Sequence, residues 1–135
     1  MTPPPPLFYL AGVLHLVVAS ANLVAFGKFR YLEHLRAVPL VVRQVFLVQN
    51  GYLVFIQVGF ALLCFGFADE LVSGRPLSVA LTGFLAVFWG SRVLFQLVYY
   101  DRALRRANRG FDVLFVAADS YLCAVYALAA LATPP

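Results

Sequence analysis

The chain has 135 residues, of which 63% are hydrophobic and 12% charged, and its mean hydropathy is +0.88; soluble domains average about 45–50% apolar and about 25% charged residues. A water-soluble domain of this length could not bury so much apolar surface, so that class is excluded and the length leaves room for one membrane domain. The net charge of +4 matters through its placement. Four apolar runs long enough to cross a bilayer, which takes about 20 residues, are Leu7–Gly27, Val41–Phe67, Leu77–Tyr100 and Phe111–Leu131.

The first run follows Met1-Thr2 and the four prolines Pro3 to Pro6, which read as a short extended polyproline stub. With no basic residues ahead of it and a length beyond a signal-peptide core, Leu7–Gly27 reads as a retained first span. Inside it His15 and Asn22 are one heptad apart, with the small Ala19 between them, on one helical face.

Lys28, Arg30, Arg36 and Arg43 follow. Between them Phe29, Leu32 and Leu35 share a side, as in a short interfacial helix that ends near Pro39. The second run carries Gln49, Asn50 and, one heptad further, Gln57. Arg75-Pro76 suits the start of the third run, since proline at a first-turn position forfeits no helical hydrogen bond.

The third run holds Arg92, with Trp89 three residues before it and Gln96 four after. Beyond it Arg102, Arg105, Arg106 and Arg109 fall at helical spacing and read as one basic stripe touching anionic headgroups. Gly110 suits a break before the fourth run. There Asp112, Asp119 and Tyr126 follow a heptad.

Because basic residues cluster after the first and third runs, the positive-inside rule puts both loops in the cytoplasm and both termini outside. The expected fold is therefore an all-α, up-down-up-down four-helix membrane bundle. Arg92 lies eight residues from Tyr100, and Asp119 eight from Phe111, so each sits about 12 Å deep. A lone charge there costs about 2.5–3.5 kcal/mol, so the two should pair and mark a functional site.

Single cysteines at 64 and 123 in different runs, with no CxxC, argue against a disulfide or thiol redox chemistry. One intramembrane histidine cannot supply a bis-His haem within one chain. No metal cluster, nucleotide loop or nucleophile elbow is present in the sequence, and the basic stripe lacks the interleaved aromatics and fold of a nucleic-acid binder.

Three functions remain. The first is a binding or accessory protein that holds a quinone- or lipid-like molecule in a polar pocket centred on Arg92 and Asp119, alone, as a homo-oligomer or within a larger membrane complex. The second is an oligomeric transporter or proton-conducting channel, and the third a small enzyme acting on lipid or quinone. Candidate ligand-binding or proton-relay residues are His15, Asn22, Gln49, Asn50, Arg92, Gln96, Asp119 and Tyr126.

The segments RQVFLVQNGYLVF (Arg43–Phe55), ADELVSGRPL (Ala68–Leu77) and FWGSRVLFQLVYYD (Phe88–Asp101) resemble a pattern found in small, uncharacterised bacterial four-span membrane proteins. The resemblance covers most of the chain, implies the same topology in a bacterial inner membrane, and draws attention to His15, Arg43, Gln44, Arg92 and Gln96. It brings no activity with it.

Overall fold

The computed structural model describes residues 3–132. It is all-helical, and among the described residues there is no strand. Four long helices cover the four apolar runs: α1 (Pro6–Lys28), α3 (Leu40–Gly66), α5 (Pro76–Val98) and α7 (Arg109–Leu131). Three short ones join them: α2 (Tyr31–His34), extended by a 3-10 turn at Leu35–Ala37, α4 (Ala68–Leu71) and α6 (Arg102–Ala107). The α2 segment is the interfacial helix that the spacing of Phe29, Leu32 and Leu35 implied. Met1, Thr2 and residues 133–135, and with them the placement of the chain ends, lie outside the described residues.

Local chemistry accounts for the helix ends. Pro76 occupies the first turn of α5, and Asp101 caps α6 by accepting a 2.9 Å hydrogen bond from the Ala103 N–H. Gly74 takes a left-handed φ of 72° in the α4–α5 turn, where a Cβ would be strained. Three details depart from the sequence reading. Pro5 already has helical dihedrals and Pro6 opens α1, so the proline stub is partly the first turn of the helix. The break before α7 falls at Asn108, with Gly110 inside the first turn. Arg109 therefore belongs to α7, and the basic stripe is split between two helices.

The long helices pair as two hairpins, α1 with α3 and α5 with α7, which meet mainly through α1 and α7. Small residues set the close approaches. A Cβ on Gly12 of α1 would stand 2.7 Å from the Phe65 ring of α3, and one on Gly90 of α5 would stand 3.3 Å from Cys123 Sγ of α7, which is how membrane helices gain van der Waals contact where lipid removes the hydrophobic drive.

Packing is uneven along the bundle axis. The dense core comprises Phe8, Ala11, Cys64, Leu71, Leu85, Trp89, Leu122, Val125 and Tyr126, all toward the end away from the basic loops. On α3 only Gln57, Ala61 and Cys64 are buried, and on α5 nothing beyond Trp89. The helices are thus closed at one end, which α4 plugs with Ala68 and Leu71, and splayed at the basic end. Outward faces of α3 and α5 carry large apolar side chains such as Phe55, Leu62, Phe84 and Val87, the surface a bilayer would cover.

Candidate functional site: a closed polar core and an open basic cleft

The two halves hold different polar sites. In the closed half His15 is fully buried and sits at the meeting of all four long helices. Its Nδ1 is 2.7 Å from Gln57 Oε1 and its Nε2 2.8 Å from the Tyr126 hydroxyl, which lies 3.2 Å from Cys64 Sγ. These distances form one consistent chain when the imidazole is neutral. The Cys64 thiol donates to the Tyr126 oxygen, the Tyr126 hydroxyl donates to Nε2, and the Nδ1–H donates to the Gln57 carbonyl. Trp89 and Phe60 close around the imidazole, at ring separations of 5.3 and 5.5 Å.

The Trp89 Nε1–H in the closed half has no acceptor among the described residues, and toward the basic end a carboxylate is left without a donor. Arg92 Nε lies 3.8 Å from Asp119 Oδ2, close enough for an ion pair and too long for a hydrogen bond. Asp119 is only 1% exposed, and neither of its oxygens accepts a hydrogen bond from a described residue. A buried carboxylate in that condition calls for a physical explanation. Arg92 keeps 35% of its side chain exposed. The pair inferred from sequence depth is therefore adjacent, but one member is sealed in and the other reaches out.

Arg92 reaches into a cleft of about 370 Å³. Gln96, Asn22 and Tyr31 supply its other polar edges, and Phe29, Tyr100, Leu104, Phe111 and Phe115 its apolar wall. Burial pushes the Tyr31 phenol above its ordinary range, with Tyr100 a lesser cause, so this hydroxyl stays neutral. At the mouth, Asp112 accepts from Arg105 Nε at 2.8 Å and from Gln96 Nε2 at 2.9 Å. Arg105 and Asp112 also border a wider, open basin of about 670 Å³ with Arg102, Arg106 and Arg109. Although the basic stripe is split, its four arginines still face one space.

The residues singled out from the sequence thus separate. His15 and Tyr126 meet in the closed core, while Arg92, Asn22 and Gln96 line the cleft, with Asp119 behind Arg92. Asn22 spends its amide donor on the carbonyl of Val18 at 2.9 Å. Gln49 and Asn50 join neither group: Gln49 is exposed on the outer side of α3 beside Val45 and Phe46, and Asn50 is half-buried. Gln49 is turned round the helix from Gln57, whereas Asn50, one heptad before Gln57, shares its face but lies in the stretch of α3 where no residue is buried.

Gln57 and Cys64 were missed as site residues, as were Arg105 and Asp112 as mouth residues. The signal for the first two was present, since Gln57, Ala61 and Cys64 recur at four and three residues, one inward stripe of α3. That Asp112 would tie Gln96 to Arg105 carried no such signal, because it depends on how α6 folds back.

Four apolar helices around polar interior groups define a multi-pass membrane protein. No family model, curated protein or solved structure matches the chain, so the resemblance to small bacterial four-span proteins rests on the residues quoted for it.

Proposed function

We propose that this protein is a binding or accessory component of a bacterial inner membrane that holds a lipophilic molecule, quinone- or lipid-like, by its polar head in the basic-end cleft. The observation that carries this reading is Arg92: a guanidinium at membrane depth, partly exposed, bordering a 370 Å³ space walled by aromatic rings. Such a mix of apolar walls with a few placed donors is what small-molecule sites present, and an intramembrane arginine is a functional marker by default.

Orientation follows from charge. Lys28, Arg30, Arg36, Arg102, Arg105, Arg106 and Arg109 gather at one end, whereas Arg75 at the other is neutralised by Glu70 at 3.2 Å. That asymmetry supports the cleft opening toward the cytoplasm, with the arginine basin against anionic headgroups. The closed half supports binding over conduction: Trp89, Tyr126, Phe8 and Leu85 are fully buried across the path from the cleft to the far face.

Native mass spectrometry from mild detergent, with solvent extraction of the same sample, tests the reading. A lipid-like adduct retained by the wild type and lost in Arg92→Ala is the expected result. An adduct equally retained by Arg92→Ala, or by neither protein, removes the cleft as its site.

A further inference from the structure

The position of Arg92 between a sealed carboxylate and an open cleft narrows the class of ligand, given that the cleft binds one at all. We propose that the cleft takes an anionic amphiphile, and that each anion bound by Arg92 is accompanied by one proton taken up by Asp119.

Three observations converge on this. Asp119 is 1% exposed and has no hydrogen-bond donor among the described residues, so Arg92 alone balances its charge. Their contact is a 3.8 Å ion pair without a hydrogen bond, which leaves the guanidinium's five donors uncommitted to the carboxylate. Arg92 also borders the cleft, and Asp119 does not. An anionic head in the cleft would draw the guanidinium outward by forming the bidentate hydrogen bonds that Asp119 does not make. A carboxylate left alone at that depth is less stable than a neutral acid, so it takes a proton from solvent at the cleft mouth. The balance is one anion and one proton in, with the total charge of the site unchanged.

The other charged and titratable groups around α7 are already engaged. His15 of α1 bonds Gln57 and Tyr126. Asp112 of α7 bonds Arg105 of α6 and Gln96 of α5, and Lys28 of α1 stands over the Phe111 ring at 4.7 Å. Asp119 is the one acid in this set that lacks a hydrogen-bonding donor.

Decanesulfonate is a suitable probe, since its head stays anionic at every working pH and mimics any acidic head without titrating. Its binding to the full-length protein in nanodiscs is followed by calorimetry in two buffers of different ionisation heat, between about pH 6 and pH 8. The expected results are close to one proton taken up per sulfonate at the upper end, and an affinity that falls about tenfold per pH unit there, as one linked proton requires. Asp119→Asn is expected to bind with no proton uptake and no pH dependence. Should that variant fail to fold, the wild type's infrared difference spectrum is the second readout, with a protonated carboxylic C=O band appearing on sulfonate addition.

Sulfonate binding without proton uptake or a new C=O band overturns the exchange, because Arg92 then holds both anions at once. Binding of uncharged decanamide but not of the sulfonate overturns the anionic class while leaving the cleft as a lipophilic site. Binding of neither overturns both readings.

Discussion

Two polar clusters sit in one bundle and have opposite fates, one built round His15 and the other on Arg92 and Asp119. In the closed half, His15 bonds Gln57 and Tyr126, and Tyr126 meets Cys64, inside a dense apolar shell in which the buried Trp89 Nε1–H has no acceptor among the described residues. In the splayed half, Asp119 and Arg92 are adjacent yet not hydrogen-bonded, and Arg92 faces open space. The contrast teaches that a polar residue at membrane depth is not by itself a functional site. A satisfied network specifies how helices pack, whereas an unsatisfied group beside a cavity is where a ligand can still gain something.

The sharpest way to break that comparison is His15→Leu. It strands Gln57 without its partner and leaves the Tyr126 hydroxyl only the weak contact with Cys64, so it should destabilise the bundle by about 2–4 kcal/mol, measured by reversible unfolding in mixed micelles. A change below about 0.5 kcal/mol would mean that the closed core is not what holds the helices together.

Next is the pair in the splayed half. Arg92→Leu should lower stability by about 1–3 kcal/mol by leaving Asp119 alone, and adding Asp119→Leu should recover part of that loss. If the double variant is as damaged as the two singles summed, the groups do not interact.

Tyr126→Phe keeps the ring and removes only the hydroxyl, so about 1–2 kcal/mol is expected. The same variant should leave ligand retention intact, because Tyr126 does not border the cleft; loss of the adduct in native mass spectrometry would join the two halves into one site.

The smallest effect belongs to Arg106→Ala in the basin. Thermal stability should not move, since the side chain is exposed, but binding to vesicles or nanodiscs rich in phosphatidylglycerol should weaken, and more so at low salt. Equal binding to phosphatidylcholine and phosphatidylglycerol would remove the headgroup role.

Helix count, helix bounds to within two residues, and the asymmetry of charge were legible in the sequence. Each depends on local properties: the length of an apolar run, a proline at a first turn, arginines that follow a span. The adjacency of Arg92 and Asp119 was also legible, because antiparallel neighbours with equal depth come level with each other. Gln49 shows where that reasoning stops. Depth locates a residue along the helix axis but says nothing of its azimuth, and less than half a turn separates the buried Gln57 stripe from the outer face.

The sequence by itself determined that this is a four-helix membrane protein with a basic end and ionisable groups at membrane depth, because hydropathy and the expense of a charge in hydrocarbon act on each segment independently. Only the tertiary structure decided that the bundle is tight at one end and splayed at the other. It also decided that both ring nitrogens of His15 are hydrogen-bonded across three helices, and that Arg92 stands between a buried carboxylate and a cleft. Those outcomes depend on which glycines let helices approach and on which face each helix turns inward, quantities that exist only once all four helices have packed together.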